Sequence, residues 1–372
     1  MNNKKIGFIG FGLIGGSIAK ALKKNNNVHL IAYDYTNSLN TSEAHNDLVQ
    51  AKSEGILDNI TSSLKDDFSD CQVVFLCAPV LANIDYLPIL KEILNPDCII
   101  TDVGSVKGNI HNKVEELGLG KQFIGGHPMT GSEKTGYQNS YSMLLENAYY
   151  ILTPTKEVSP SMVEVMLELV KTMGSIPVIL DATEHDIITA AISHVPHIIA
   201  AQLVNLVKES DDSKEHMRAL AAGGFKDITR IASSSPTVWQ NISLSNAKCI
   251  KKLLDRYIET LKEASDALSN MDGSYLYNMF DEAGEYRNSI PNKSIGLMKK
   301  TYELYIDIVD EAGSIASIAT LLAANQISIK NIGIIHNREF EEGVLRIEFY
   351  DDNGLSCAIS LLEMNNYNIY KR

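Results

Sequence analysis

The stretch Ile6-Gly7-Phe8-Ile9-Gly10-Phe11-Gly12-Leu13-Ile14-Gly15-Gly16-Ser17 decides the fold of the first part of this chain. A short apolar run ends in Gly10, Gly12 and Gly15 follow at the spacing G-x-G-x-x-G, and the next residues have a helical pattern. Glycines at these places permit a tight turn, let the backbone approach a pyrophosphate, and let a helix pack closely on the strand. The pattern therefore predicts a strand, a turn and a helix that bind a dinucleotide at the helix N-terminus.

An acidic residue after the second apolar run indicates which dinucleotide is bound. The run Val28–Tyr33 ends in Asp34, nineteen residues after Gly15. A carboxylate at this place binds both ribose hydroxyls of NAD and repels the 2′-phosphate of NADP. The alternative is a glycine-rich turn beside an unrelated surface aspartate. The predicted NAD-binding residues are Gly10, Gly12, Leu13, Ile14, Gly15, Asp34, Ala78 and Pro79.

Charge and cysteine usage argue against several classes of protein. The chain has 372 residues and a net charge of −13 without a run of five like charges, which argues against partners such as nucleic acid or an anionic membrane. Its five cysteines are scattered without metal-binding spacing, which predicts free thiols in a reducing cytoplasm and no metal site. The early first strand and the lack of an apolar run of about eighteen residues predict neither a signal peptide nor a membrane span.

Residues 1–181 alternate short apolar runs with amphipathic stretches. The candidate strands are Lys5–Ile9, Val28–Tyr33, Val73–Cys77, Cys98–Asp102, Gln122–Gly125, Tyr149–Thr153 and Pro177–Leu180. This alternation is typical of an α/β domain of the Rossmann type, with a mostly parallel sheet covered on both faces. Ligands of such sheets bind beyond the carboxyl ends of the strands. Polar or glycine-rich segments follow three of these strands, at Ala78-Pro79, Gly104–Lys107 and Gly126–Glu133.

Residues 182–290 lack a strand pattern and predict an all-helical domain. The stretch His185–Lys208 is apolar on nearly all sides, which indicates a buried helix, and Pro196 within it predicts a kink. Another long helix is predicted from Val238 to Ser269. The large apolar surface of these helices suggests a homodimer that forms through this domain.

The stretch 288–294 is polar and contains a proline, which predicts a linker at 291–298, and residues 299–372 have a third pattern. Strands are predicted at 301–309, 327–335, 343–350 and 367–370, with helices at 314–324 and 354–363. The order βαββαβ predicts a ferredoxin-like unit.

Two residues in the loops beyond the predicted strands are candidates for chemistry. His127 lies in a glycine-rich loop at the edge where a nicotinamide ring should point. A neutral imidazole there can take the proton of a substrate hydroxyl while a hydride leaves the same carbon. Ser105 can donate a hydrogen bond to that hydroxyl or to the nicotinamide amide. The alternatives are a loop histidine bonded to the backbone and a serine that only caps the next helix.

Arg230 in the helical part is a candidate for binding a substrate carboxylate. Its guanidinium can make two parallel hydrogen bonds to a carboxylate. Asp227 precedes it by three residues, so the two should share a helix face and form a pair. The alternative is a purely structural ion pair.

Two histidines and the single tryptophan are further candidates in the helical part. His197 can contribute positive charge to a carboxylate site, and Trp239 can wall off a ring-shaped substrate. His194 lies on the same helix face as His197, and His185 and Asp186 are placed to orient these two rings. For all of them, ordinary core packing is the alternative.

Five stretches taken together resemble one enzyme family. They are GFGLIGGS at 10–17, DVGSVK at 102–107, GHPMTGSE at 126–133, SHVPHIIA at 193–200 and GFKDITRIASSSPTVW at 224–239. In this order they are similar to the prephenate dehydrogenases of tyrosine biosynthesis, over nearly all of residues 1–290. The resemblance implies an NAD-dependent oxidative decarboxylation of prephenate to 4-hydroxyphenylpyruvate.

The resemblance also implies roles for individual residues. His127 matches the catalytic histidine that hydrogen-bonds the ring hydroxyl, and Ser105 matches the serine that assists it. Arg230 matches the arginine that holds a substrate carboxylate, with Asp227 as its support. The other matches are His197 and Trp239, around the pyruvyl side chain, and Glu133, an acidic residue near the mouth of the site.

The C-terminal unit resembles an ACT regulatory domain, a class that binds amino acids. This resemblance implies that tyrosine is an effector and inhibits the enzyme through residues 299–372. The implied effector-binding residues are Gly313, Ser314, Ile315 and Ser328. Gln326-Ile327-Ser328 stands where many ACT domains have Gly-Ile-Asn.

Three other functions are compatible with parts of this pattern. Arogenate, which has an amine in place of the side-chain keto group, is an alternative substrate. β-Hydroxyacid dehydrogenases and imine reductases share the architecture but usually rely on a lysine or aspartate in the interdomain helix, where this chain has His194 and His197. An inactive amino-acid-sensing protein that binds NAD should have lost His127, Ser105 or Arg230, and all three are present.

Overall fold

The computed structural model describes residues 4–25, 28–35, 43–131, 134–290, 302–308, 311–335, 343–365 and 367–370. The chain divides into two compact units, 1–296 and 297–372. The predicted linker at 291–298 lies outside the described residues.

The first unit begins with a five-stranded parallel sheet. Its strands are β1 (Lys5–Ile9), β2 (His29–Tyr33), β3 (Asn59–Thr61), β4 (Val73–Leu76) and β5 (Ile99–Asp102), in the order β3-β2-β1-β4-β5. The helices between them and after β5 are α1 (Leu13–Asn25), α2 (Glu43–Ser53), α3 (Leu64–Asp67), α4 (Val80–Ile93) and α5 (Gly108–Leu117). This is the strand order of a Rossmann domain, with the crevice for a ligand where the order reverses, between β1 and β4. The predicted fold class is confirmed, and the three-residue strand β3 is an addition to the predicted strands.

Alternate residues of the central strands build a core on each face of this sheet. Phe8 and Phe75 are fully buried on one face, where their rings stack with centroids 5.4 Å apart. Ile9 and Leu76 are buried on the other face. Both faces are therefore covered, as the near-continuous apolar runs of a parallel sheet require.

Three strands that the sequence assigned to one mostly parallel sheet form a separate sheet. They are β6 (Ile124–Pro128), β7 (Tyr149–Pro154) and β8 (Ile176–Ile179), with α6 (Pro160–Thr172) between the last two. β6 and β7 are antiparallel because the chain between them has no crossover helix among its described residues, only two 3₁₀ turns. A single parallel bridge between Ile100 and Phe123 connects the two sheets.

The rest of the first unit is helical. Its helices are α7 (Ala182–Thr189), α8 (Val195–Ser210), α9 (His216–Leu220), α10 (Gly223–Thr229), α11 (Pro236–Ser245), α12 (Ala247–Ser269) and α13 (Gly273–Ser289). A π-helical segment, Ala190–His194, separates α7 from α8, and a 3₁₀ turn, Arg230–Ser233, precedes α11. The predicted all-helical domain is confirmed.

Two of the predicted long helices are interrupted, the first for a local reason and the second beside a contact with a distant part of the chain. The N–H of Val195 bonds to the carbonyl of Ala190, five residues back, so the predicted disturbance at Pro196 takes the form of a π turn just before it. The helix predicted from Val238 to Ser269 breaks at Asn246. The side chain of Asn246 bonds instead to residues of the α7–α8 region, as described below.

One helical stretch among the described residues, 182–210, is long and apolar enough to cross a membrane by length and composition alone. The sequence predicted no such stretch. It also contains the buried polar side chains of His185, Asp186 and His194.

The second unit is a four-stranded antiparallel sheet with two helices. Its elements are β9 (Tyr302–Ile308), α14 (Ser314–Ala324), β10 (Ile329–Ile335), β11 (Gly343–Phe349), α15 (Asp352–Met364) and β12 (Ile369–Tyr370). The strand order is β10-β11-β9-β12, and Leu304, Ile306, Ile318 and Leu362 are among its fully buried core residues. This is the predicted ferredoxin-like arrangement.

Candidate active site

The turn after β1 has the shape that a dinucleotide site requires. Gly10 has a φ of +87°, and a Cβ there would lie 2.5 Å from the backbone nitrogen of Ala78, so only glycine fits. At Gly12, no described atom lies within 4 Å of the place of a Cβ, so a ligand has access to the backbone. α1 begins at Leu13, and the first N–H groups of a helix have no intrahelical acceptors. The turn therefore fits the pyrophosphate of NAD.

Asp34 lies at the end of β2, on the same sheet edge as this turn. It is 4% exposed, and its Oδ2 is 2.6 Å from Nδ1 of His45 in α2. The position suits contact with a ribose, and the structure adds His45, which no sequence pattern indicated. Ala78 and Pro79 follow β4 on the neighbouring side of Gly10, and Pro79 directly precedes α4.

A cleft of about 510 Å³ lies between the carboxyl edge of the sheets and the helical region. Four of the predicted site residues, Ser105, His127, His197 and Trp239, line it together, as does His194. Its size is that of a site for a small molecule. The structure thus brings together residues that are up to 134 positions apart in the sequence, counting from Ser105 to Trp239.

The imidazole of His127 is held by a second histidine. Its Nδ1 is 2.8 Å from Nε2 of His185, and Nδ1 of His185 is 2.8 Å from Oδ1 of Asp186. Burial lowers the pKa of His127 well below its ordinary value, and the neighbouring charges of His185, Lys107 and His194 add to this effect. His127 is therefore neutral at neutral pH, with one ring nitrogen able to accept a proton.

Ser105 is not the cap of the following helix. α5 begins at Gly108, and its first amides are capped by a residue from another element: the N–H groups of Lys107 and Gly108 donate to Asp186 at 2.8 and 2.7 Å. Ser105 instead lines the cleft. The alternative that it serves only as a cap is therefore wrong.

A buried ion pair supports this loop from behind. Lys107 and Asp102 both have fully buried side chains, and the ammonium of Lys107 pairs with the carboxylate and also donates to the carbonyl of Gly126 at 2.7 Å. Asp102 in turn accepts from the N–H groups of Gly104 and Gly126. The pair therefore connects the Ser105 loop with the strand that carries His127. Both residues lie in the DVGSVK stretch, but sequence reasoning gave them no role.

His197 and Trp239 form one wall of the cleft. Their rings stack with centroids 3.5 Å apart, and Nδ1 of His197 is 2.8 Å from the carbonyl oxygen of Ser193. Burial lowers the pKa of His197, the hydrogen bond to Ser193 opposes this, and the charge of Arg230 lowers the pKa further. His197 was expected to be oriented by His185 or Asp186, and this is wrong: the Ser193 carbonyl orients it.

His194 is buried beside these rings and contacts Asn246. The amide nitrogen of Asn246 lies 2.8 Å from the carbonyl of Asp186 and 3.2 Å from Nδ1 of His194. This nitrogen must be the donor to both, so Nδ1 of His194 accepts. The orienting partner of His194 is therefore Asn246, and the side chains of His185 and Asp186, predicted for this role, hold His127 instead.

Arg230 lies at the rim of the cleft. It is exposed and begins the 3₁₀ turn, and the next residue, Ile231, lines the cleft. The predicted ion pair with Asp227 does not form between these described residues. α10 ends at Thr229, whose ψ of 1° departs from helical geometry, so Asp227 and Arg230 lie on either side of a helix end. Glu133 lies outside the described residues.

The predicted effector residues of the second unit do not all come together. Gly313, with a φ of +101°, precedes Ser314 and Ile315 at the start of α14, on the side of the sheet where β9 ends. Ser328 directly precedes β10, whose first residue is level with the beginning of β9. β9 and β10 run in the same direction, so Ser328 lies at the opposite end of the sheet, about 20 Å away along the strands. Within one unit, Ser328 cannot share a site with Gly313.

Comparisons with known proteins agree with this geometry. The profile described as the nucleotide-binding domain of prephenate dehydrogenase matches residues 18–178, and that of its dimerization domain matches residues 181–282. The chain is 36% identical to a prephenate dehydrogenase of Bacillus subtilis over 95% of its own length and 94% of that protein. It is 34% identical to a prephenate dehydrogenase of Lactococcus lactis, with 97% and 98% covered.

A solved structure is similar to the first unit. A prephenate dehydrogenase from Aquifex aeolicus, in complex with hydroxyphenyl propionate and NAD+, superposes with a TM-score of 0.70 at 30% identity. The alignment covers 78% of this chain and 99% of that one. The two curated relatives are matched over 95% and 97% of this chain and therefore extend into the C-terminal unit, whereas the alignment with the Aquifex chain leaves about a fifth of this chain unmatched.

Proposed function

The chain belongs to the prephenate dehydrogenase family, and from this membership and its cleft we propose how it oxidises prephenate with NAD. Prephenate carries a hydroxyl on one ring carbon and, on the opposite carbon, a carboxylate and a pyruvyl arm. The hydroxyl carbon loses a hydride and its oxygen loses a proton, after which the dienone releases carbon dioxide and becomes 4-hydroxyphenylpyruvate. When bound, NAD supplies the acceptor for the hydride.

His127 is the base and then the acid of this sequence. Since its Nδ1 contacts His185, Nε2 is the ring nitrogen that takes the hydroxyl proton. When carbon dioxide leaves, the electron pair of the broken bond enters the ring, and the oxygen regains a proton from the His127 imidazolium. The prephenate dianion and NAD+ thus become the product monoanion, carbon dioxide and NADH without a net proton. A positioned base of this kind contributes about 10²–10⁴ in rate.

The other cleft residues hold the substrate in the proposed arrangement. Ser105 donates to the ring hydroxyl beside His127. Arg230 binds a carboxylate at the rim, and His197 and Trp239 enclose the pyruvyl arm. Support comes from the shared cleft, and for Arg230 from its electrostatic effect on His197. For Glu133, the proposed role near the mouth of the site rests only on the family resemblance.

The observation that carries this proposal is the contact between His127 and His185, which leaves one nitrogen of a neutral imidazole available in the cleft. The test records NADH absorbance with purified protein, NAD and prephenate, with arogenate in parallel. NADH formed from prephenate supports the proposal. Turnover of arogenate alone would keep the mechanism and change the substrate. No turnover with either would favour another dehydrogenase of this fold, or a sensor that binds NAD without using it.

Dimerisation through the helical domain and a cytoplasmic location are also proposed. The helical stretch at 182–210 lies within the matched dimerization domain. Ile187 and Leu206 of that stretch are 50% and 60% exposed in the single chain, which suits burial against a second copy. The five cysteines are free thiols, as expected in a reducing compartment.

Regulation by tyrosine is proposed for the second unit, as an ACT-like domain. The unit has the ferredoxin-like topology, and the curated relatives that align over nearly the whole chain extend across it. We place the effector at the start of α14, at Gly313, Ser314 and Ile315, and omit Ser328. The left-handed backbone at Gly313 and the N-terminus of α14 suit an amino-acid carboxylate there.

A further inference from the structure

Asp186 is a point where two parts of the cleft are fixed to one carboxylate. Its Oδ1 accepts from Nδ1 of His185 and from the N–H of Lys107, both at 2.8 Å, and its Oδ2 accepts from the N–H of Gly108 at 2.7 Å. His185 is fully buried, and Asp186 is 6% exposed. Three donors therefore fix the position of this buried carboxylate.

The hydrogen-bonding capacities of these groups determine where the protons lie. A carboxylate only accepts, so Nδ1 of His185 must carry a proton. A neutral His185 then has a lone pair on Nε2, and Nδ1 of His127 must donate to it. A neutral His127 with its proton on Nδ1 has its lone pair on Nε2. With a neutral His185, the order of contacts from Asp186 to His185 to His127 thus allows one tautomer of the base.

We propose that His185 and Asp186 are positioning residues of the reaction, which hold His127 in the Nδ1–H tautomer and fix the Ser105 loop in register with it. This inference rests on the proposed function of His127 as the base. Asp186 reaches Ser105 through the amides of Lys107 and Gly108, directly after that loop, and it reaches His127 through His185. One side chain of α7 therefore sets the positions of both groups that act on the substrate hydroxyl.

The contrasting interpretation is that Asp186 only caps α5 and that His185 only fills space. The packing role and the positioning role predict different effects for two variants at position 185. Glutamine at position 185 places an amide oxygen near the site of Nε2 and can accept from His127. Leucine has similar bulk and cannot accept. A packing role treats the two substitutions alike, whereas the positioning role separates them.

The kinetic test compares His185→Gln and His185→Leu with the parent enzyme, with Asp181→Asn as a control in the N-cap of the same helix. We expect the leucine variant to lose at least tenfold in kcat, up to the 10²–10⁴ or so that a positioned base contributes. The glutamine variant should recover most of this loss. KM for NAD should stay within twofold in both, and the control should match the parent. A kcat for His185→Leu within twofold of the parent, or equal losses in both variants, would overturn the proposal.

A second measurement does not depend on the variants at position 185 or on turnover. Ring ¹⁵N chemical shifts of the parent protein, labelled at histidine and assigned with His127→Asn, report which nitrogen of His127 is protonated. We expect the proton on Nδ1, and a proton on Nε2 would overturn the inference. If the parent protein turns over neither prephenate nor arogenate, the proposed function fails, while the tautomer measurement still decides this inference separately.

Discussion

The ring of His197 stacks on the indole of Trp239, with centroids 3.5 Å apart and 21° between the planes. Nδ1 of the imidazole is 2.8 Å from the carbonyl oxygen of Ser193, which requires a proton on Nδ1 and leaves the Nε2 edge for another contact. The imidazole and the indole therefore form one rigid wall of the cleft. Because Trp239 is the only tryptophan, its fluorescence is a direct probe of this wall.

A ligand that enters the cleft should change the emission of Trp239. We expect saturable quenching or enhancement when 4-hydroxyphenylpyruvate is added without NAD, because the ligand replaces water beside the indole. Trp239→Phe keeps the stack and removes the signal, so it serves as the control for inner-filter effects. An emission that stays constant at concentrations that inhibit turnover would place the substrate elsewhere.

Replacement of His127 by asparagine should abolish most turnover without unfolding the protein. The asparagine still fits the end of β6, but it cannot accept the hydroxyl proton, so kcat should fall by about 10²–10⁴. Affinity for NAD, measured by titration, should be unchanged. His111→Asn is a matched control, since His111 is a half-buried histidine of α5 that does not line the cleft. Near-normal turnover of His127→Asn would remove this residue from the mechanism.

The buried His194 should make stability depend on pH. Its Nδ1 accepts from Asn246, so a proton there would oppose the amide, and burial lowers the pKa of His194 to about 4. In the unfolded chain its pKa is about 6.5. Between these values the unfolded state binds the proton and the folded state does not, so the stabilising contribution is complete above about pH 6.5 and is lost as the pH falls toward 4.

The measurement is the melting temperature from about pH 7.5 down to about pH 4.5. His194→Gln keeps an acceptor for Asn246 and does not titrate, so its melting temperature should fall less steeply with acid than that of the parent. His216→Gln, at an exposed histidine of α9, should leave the slope unchanged. If the melting temperature fell equally steeply with pH in His194→Gln and in the parent, protonation of His194 would not reduce the stability of the folded protein.

The elements that the sequence predicted well are those with a local cause. The G-x-G-x-x-G turn depends on the backbone freedom of Gly10, and the βαββαβ unit depends on alternation that is visible within each strand. The site could be predicted in part, because Ser105 follows β5 and both Ser105 and His127 line one cleft. The predicted loop position of His127 is wrong, since His127 lies within β6, near its end, in the second sheet.

The missed features depend on contacts between distant parts of the chain. His127 and His185 are 58 residues apart, and no spacing in either segment indicates that their rings meet. The same holds for Asn246, which contacts His194 at a separation of 52 residues. The sequence around Asn246 therefore does not indicate why the helix breaks there. The predicted pair of Asp227 and Arg230 failed for the opposite reason, because helical spacing was assumed across a helix end.

Asp34 should determine the preference for NAD. Its buried carboxylate at the end of β2 is placed to bind ribose hydroxyls and to repel a 2′-phosphate. Asp34→Asn keeps the shape but loses a charge-assisted hydrogen bond, worth about 1.5–3 kcal/mol. We expect the ratio of kcat/KM for NAD to that for NADP to fall by about tenfold or more. Asp70→Asn, at a surface aspartate, should leave the ratio unchanged. A ratio in Asp34→Asn equal to that of the parent would contradict the assignment of Asp34 to the ribose of NAD.

Removal of the second unit should remove inhibition by tyrosine while leaving catalysis in place. A chain that ends near Lys299 retains the whole first unit, which is compact by itself. The Aquifex aeolicus enzyme is matched over 99% of its own length by 78% of this chain. The truncated enzyme should therefore turn over prephenate at a rate similar to that of the full chain and ignore added tyrosine. Gly313→Ala in the full chain keeps the unit but strains a backbone with a φ of +101°, so tyrosine sensitivity should fall there too. If the truncated enzyme stayed as sensitive to tyrosine as the full chain, the effector would act at the cleft itself, by competing for the place of the product ring.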